Sequence, residues 1–422
     1  MLQSVAVSIL LPFTSVVLTA APGAQSSAAA PGDRLRVFVD CGRCDQEHLR
    51  QTVGFVDYVA DPSVADFHVL VTTQTTGGGG LSWAVQFIGQ GSFQGLNSRL
   101  SFDTPATDTE SDRNSAFERI FMLGLAGPAT TTSSGPELTV TWTPPEVGSS
   151  STTADPWKAW VFNLRASGDV SGERASSARS LNWRVSSNRT TSALKVNVSA
   201  GRDTRISSFD VGDQERIRSS RHSWSMDTLV VRSAGPRWSV GATGAVSHSS
   251  FSNIDHQISM APAVEFNVFP YTESSRRSLT VHYAAGASRY RYTNLTIFDR
   301  MREVVPRHVV RISLDLQQPW GSVNVASSFY QHLQNLDRTR TTVNGFMDVR
   351  IVKGLSVNAF FRYERIRDQI SLRKEAASDE AVLLGLQQLP TGYNYFANFG
   401  ISFRFGSIFN SVVNSRLNGS PF

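Results

Sequence analysis

Beyond residue 21 the chain has no apolar run long enough to cross a membrane as a helix, so any integration into lipid must use strands. Cysteine is nearly absent, with Cys41 and Cys44 the only two in 422 residues. That leaves one bridge or one dithiol and excludes a disulfide-dense scaffold. Lysine is scarce too: four of the 40 basic residues, set against 35 acidic ones, for a net charge of +5. The arginines that supply the charge are scattered and fall in no nucleic-acid-binding motif, which argues against a nucleic-acid partner. Charged residues make up only 18% of the chain, while aromatics reach 10% and glycines number 31. With abundant Ser and Thr, this is the composition of a β-rich protein.

The chain opens "MLQSVAVSILLPFTSVVLTAAPGAQSSAAAPG", an apolar stretch followed by small residues. It reads as a signal peptide over residues 1–24 and predicts export, although the usual basic n-region is missing. Pro12 and the Ser/Thr content argue against an anchoring helix. Three textures follow. Residues 33–127 alternate strand-like runs ("RLRVFVD", "ADFHVLVTT", "LSWAVQFIG") with helical ones, the last of which, "DTESDRNSAFERIFMLGLAG", is capped by Asp108 or Thr109 and ends at Gly127. They predict a small α/β domain. Residues 128–156, rich in Thr, Ser, Pro and Gly, read as a linker with at most one short strand at "ELTVTW". From Trp157 to Phe405 there are twelve long alternating runs, then a tail over 406–422.

The connections between these runs alternate in length. "TTSA", "SAGPR", "PWGS" and "VKG" are tight turns, whereas "DTRISSFDVGDQERIRSSRH" and "TNLTIFDRMREVVPR" read as long charged loops. Short turns on one side and long loops on the other fit a membrane barrel. The strand faces agree: Ile258, Met260, Pro262, Val264 and Phe266 oppose Ser259, Glu265 and Asn267, and Val310, Ile312 and Leu314 oppose Arg311, Ser313 and Asp315. Mid-strand charge suits a polar lumen and is costly in a soluble core. "TLVVRS" and "RYRYTN" break the parity and call for a bulge or a strand end beyond the bilayer. The fold class predicted is mainly β: a twelve-stranded antiparallel transmembrane β-barrel preceded by a small periplasmic α/β domain.

The last run, "NYFANFGISFRFGS", carries a resemblance. Its Asn398, Gly400, Phe403 and Phe405 resemble the C-terminal assembly signal of bacterial outer-membrane β-barrel proteins. In that family the final strand is what the barrel-assembly machinery recognises, so the resemblance implies that machinery as a partner. One departure is the 17 residues after Phe405, where the family usually stops. The resemblance covers residues 157–405 in architecture and names no solute.

On the parity of the strands, Arg165, Arg184, Lys195, Glu265, Arg311, Asp315, Asp348, Arg350, Arg362, Glu364 and Arg404 line the lumen. Both signs are present, so no strong ion selectivity follows. Arg216, Arg218, Arg221, Arg289, Arg291, Arg300 and Arg302 are expected in the loops, where lipopolysaccharide phosphates and plain solvation are the alternatives. Cys41 and Cys44 lie between a strand and a helix start. A structural disulfide is the favoured reading, over a thioredoxin-like redox pair or a metal site completed by His48. "TTQTTGGGGLSW" has no Lys-Ser/Thr and no helix after it, so Gly77–Gly80 read as a hairpin loop rather than a phosphate cradle. Ser328 and His332 share a face, as in a twelve-stranded outer-membrane phospholipase, but that family's catalytic groups face lipid and these face the lumen. No enzyme activity, metal or cofactor is predicted. Two functions stand: a porin-like channel of unknown solute, and a docking protein whose barrel anchors the α/β domain to a periplasmic partner. The order of elements in that domain is similar to accessory domains of envelope assemblies, which bind rather than catalyse. Outer-membrane lipid and lipopolysaccharide complete the predicted surroundings.

Overall fold

The computed structural model describes residues 34–139, 141, 155–211, 215–352, 354–375 and 387–406. The signal segment, the tail after Gly406 and most of the helical pattern at 378–389 lie outside the described residues.

The first described strand, β1 (Leu35–Asp40), alternates strictly: Leu35, Val37 and Val39 are buried and Arg36, Phe38 and Asp40 point the other way. Asp45 then caps α1 (Gln46–Thr52), its carboxylate accepting from the His48 amide at 2.9 Å. The chain returns through β2 (Val56–Tyr58), β3 (Phe67–Thr75), β4 (Leu81–Gly89) and β5 (Asn97–Thr104) into α2 (Glu110–Ala129). The sheet order is β2-β1-β3-β4-β5, with β1 parallel to β2 and β3 and the other pairs antiparallel. Thr109 caps α2 in a reciprocal capping box with Asp112. The helix runs two residues past its expected end at Gly127 and includes Pro128. Gly127 lacks the Cβ that a following proline ring strikes, which makes the continuation possible. Leu138 still packs against the core, and residues 135–137 form a helical turn rather than part of a strand.

Leu49 and Val53 of α1 and Phe117, Phe121 and Leu125 of α2 pack on Val37, Val69, Val85 and Phe87. Gly124 is pressed so close to the Phe87 ring that no Cβ fits there. Both helices therefore cover one face of the small sheet. The opposite face carries Phe38, Asp40, His68, Leu70, Thr72, Ala84 and Gln86 and, among the described residues, has no helix on it. Leu70 is nevertheless 0% exposed and His68 1%.

The remaining twelve strands are β6 (Trp160–Gly172), β7 (Ser176–Thr190), β8 (Leu194–Val211), β9 (Glu215–Ser233), β10 (Trp238–Ser249), β11 (Ile254–Asn267), β12 (Arg277–Tyr292), β13 (Arg302–Gln318), β14 (Gly321–His332), β15 (Thr339–Val352), β16 (Leu355–Ile366) and β17 (Tyr393–Phe403). They form one antiparallel sheet in chain order. "DTRISSFDVGDQERIRSSRH" differs from its expected form. Its described residues are not a loop: β8 runs on to Val211 and β9 starts at Glu215, as 18- and 19-residue strands, because alternating polar side chains leave the backbone ladder free to continue. "TLVVRS" and "RYRYTN" contain no bulge, so Leu229 and Val231 share a face with Asp227; register shifts fall instead at Ser247/Ser249, Ile254/His256 and Arg350/Val352. Among the described residues β6 pairs only with β7 and β17 only with β16, so no hydrogen-bonded seam joins the first strand to the last.

Candidate functional site

The two faces of the large sheet are chemically distinct. Across β10 and β11 one face reads Trp238–Phe266, Val240–Val264, Ala242–Pro262, Gly244–Met260 and Val246–Ile258 in register. Its apolar groups are the more exposed ones, Ile258 at 53% and Met260 at 67%. The face is bounded by aromatic groups. At the turn end Trp238 lies 4.7 Å from Phe266; at the other, Trp224 sits 6.2 Å from His248 and 5.9 Å from His256. Ten residues separate Trp238 from His248, which is roughly 33 Å along a strand or roughly 25 Å of height at the usual barrel tilt.

The turn end of this sheet meets the bare face of the small one. Arg350 Nη1 reaches Asp40 Oδ2 at 2.8 Å and the Pro319 carbonyl at 2.9 Å, and its guanidinium lies over the Phe38 ring, 5.0 Å from the centroid. His68 Nε2 stands 3.3 Å from the same Asp40 oxygen, with Phe38 edge-on to its ring. Burial alone would raise the Asp40 carboxyl; the hydrogen bonds from His68 and Arg350 outweigh it and hold the group below its ordinary value. Gln74 donates to Ser274 at 2.9 Å, and a Cβ on Gly77 would lie 2.5 Å from that of Thr190. Two cavities lie along the junction. One of about 350 Å³ is bounded by Phe38, Asp61 and Pro62 on one side and Asp348, Arg350 and Arg404 on the other. The second, about 300 Å³, brings Arg99 to Arg276 and Gln318. The small domain thus meets the ends of β7 and β15 and the β11–β12 turn, and shares cavity walls with Gln318 and Arg404.

The opposite end is covered as well. After β16 the chain crosses to the β10–β11 and β12–β13 connections. The Ile297 amide donates to the Leu372 carbonyl and the Lys374 amide to that of Leu295, each at 2.9 Å. Asn253 ties three segments together: its amide donates to the Asn294 and Ser371 carbonyls at 3.0 Å, and its Oδ1 accepts from the Asn294 amide at 2.8 Å. Ile370 is buried with Tyr290, Tyr292 and Val305 on the polar face, and Arg340 holds Asp368 and Glu364, both at 2.9 Å.

Arg165, Arg184, Lys195, Glu265, Arg311, Asp315, Asp348, Arg350, Arg362, Glu364 and Arg404 all lie on the polar face or its continuation. The structure places Arg165 opposite Arg184, Glu265 beside His282 at 3.7 Å, and Asp348, Arg350 and Arg404 around one cavity. The others are dispersed. Asn398 and Gly400 are on the polar face of β17; Phe403 is on the apolar face, with Phe405 just beyond the strand and 5.5 Å from it. Cys41 and Cys44 form a disulfide, Cα–Cα 5.6 Å, that closes the β1–α1 turn, while His48 pairs with Glu118 at 2.9 Å. Gly77–Gly80 form the β3–β4 hairpin loop. Ser328 and His332 are buried on the polar face, but four residues apart on one strand they are separated by roughly 13 Å. Sequence reasoning missed Phe38, Asp40, His68 and Asn253. The one signal was a histidine inside the apolar run "ADFHVLVTT".

No family model matches the chain, and no curated protein does. Among solved structures the chain is similar to the translocator domain of autotransporter NalP from Neisseria meningitidis, at 13% identity over 58% of this chain and 81% of that one, with a TM-score of 0.18. At that score the likeness carries no weight for closure or activity.

Proposed function

We propose that the large sheet closes as a β-barrel in an outer membrane and that the chain is a capped anchor, holding its N-terminal domain at the periplasmic mouth. The observation that carries this reading is the bare face of the small sheet, with Leu70 fully buried although no helix covers it, set on the turn end of the large one. An exposed apolar belt of membrane height supports the lipid setting. Curvature is consistent with reach: Thr190 and Arg350 are eight strand spacings apart, roughly 38 Å in a flat sheet, and one domain roughly 35 Å across meets both. Export by the signal segment and assembly through Asn398, Gly400, Phe403 and Phe405 belong to the same proposal, as does a protein partner for the exposed helical side of the domain. No catalytic role is proposed.

A porin-like channel is the second reading, favoured by the charged groups of both signs on the polar face, Arg311 and Asp315 among them. Protease treatment separates the two when combined with conductance. The anchor predicts a domain cleaved only after the outer membrane is permeabilised, and a full-length protein that shifts its gel mobility on heating but passes no current in a planar bilayer. Discrete current steps from the unmodified chain would sink the anchor and establish the channel.

A further inference from the structure

We infer a binding site for a phosphate-bearing lipid headgroup on the outer face of β11, β12 and β13 at the loop end. The inference rests on the membrane reading above. Register places His256, Arg291 and Arg302 side by side across the three strands, and one step along the strands Ile258, Arg289 and Val304. A hollow of about 580 Å³ is lined by His256, Ile258, Arg289, Arg291, Met301 and Arg302.

The charge there is unbalanced. Among the described residues Asp255 is the one carboxylate that engages the group, at 3.1 Å from both Arg291 Nε and His256 Nδ1. Arg289 and Arg302 have no hydrogen-bond or ion-pair partner among the described residues. Three guanidinium groups therefore meet one carboxylate. Unpaired arginines this close together repel one another, and a phosphate that accepts from two planar forks relieves the repulsion.

The surroundings select a lipid over a free anion. Level with Arg289 and one step beyond it the exposed face is apolar: Ile258 at 53% and Val304 at 52% flank that arginine in register, and Met260 at 67% follows. Trp224, 5.9 Å from His256, marks the interface at which an amphipathic ring sits between headgroups and acyl chains. An acyl chain lying along Ile258, Met260 and Val304 carries its phosphate to the height of Arg289, Arg291 and Arg302. The occupant is an acylated phosphosugar lipid of the outer leaflet, with more than one phosphate to match three arginines.

The test uses the full chain in phosphatidylcholine nanodiscs containing either a diphosphorylated acyl glycolipid or its dephosphorylated form, with bound lipid counted by native mass spectrometry. Retention of the phosphorylated form alone is expected. Arg289→Ala and Arg302→Ala each weaken it about tenfold, whereas the lysine variants keep the charge and lose less. Arg232→Ala, on the same face at the turn end, leaves binding unchanged. Equal retention of both glycolipids, or full retention by the double alanine variant, overturns the site. Displacement of the glycolipid by inorganic phosphate at equal concentration reduces it to an anion site and overturns the lipid assignment. Heat-shifted mobility is recorded for every form: a chain without it fails the membrane reading, whereas a shifted chain that binds no lipid fails only this inference.

Discussion

Asp40 shows how one carboxylate joins two sheets. It belongs to the first strand of the small domain, yet its charge is held by His68 from the same sheet and by Arg350 from the fifteenth strand. Asp40→Asn keeps the shape and removes the charge; with His68 buried but Arg350 about a third exposed, the expected loss is about 1–2 kcal/mol of docking. The pH dependence has a definite sign. The docked carboxyl titrates below its ordinary value of 3.8, so its contribution is complete above that value and disappears as pH falls through the lower, docked one. Hydrogen exchange of the peptide over residues 35–40 in the full chain reports this. Protection should fall in Asp40→Asn at neutral pH, and in the parent chain only in acid. A variant as protected as the parent at neutral pH would show that the ion pair does not hold the joint.

Among elements, the segment after β16 depends on a single asparagine in the β10–β11 turn. Asn253 is 2% exposed and sits at φ 58°, a left-handed conformation that asparagine tolerates better than most residues. Asn253→Gly preserves that backbone while removing three hydrogen bonds, two of them to carbonyls of other segments. Each is worth about 1 kcal/mol; the expected result is rapid amide exchange over residues 367–375 with β12 and β13 still protected. Loss of protection throughout the sheet would instead make Asn253 a folding determinant. None of this was legible in the sequence, whereas the strands were. Alternation such as Ile258, Met260 and Pro262 against Ser259 and Ala261 is a local pattern with period two, and it survives in one dimension. Docking partners do not: Asp40 and Arg350 are 310 residues apart, and nothing near either marks it as half of a pair. The long charged stretches misled for a related reason, since charge predicts solvent contact but not whether a strand ends.

For the whole molecule, a closed barrel as proposed would place the two covers in series. The small domain meets the turn end and the segment 367–375 bonds to connections at the other, so a path along the polar face would have two closures, and removing one would leave the other as the resistance. Conductance should therefore respond non-additively. Arg350→Ala, which frees the domain, stays silent in a planar bilayer; Asn253→Gly, which frees the crossing segment, stays silent as well; the double variant conducts. The two positions lie at opposite ends and share no partner, so their stability effects should add even as their currents do not. Conduction by either single variant would mean that one cover is incidental. A silent double variant that keeps its heat-shifted mobility would mean that the polar face itself is packed shut. In that case Arg165, Arg184 and the other charges of that face are structural, and the chain is an anchor even without its covers.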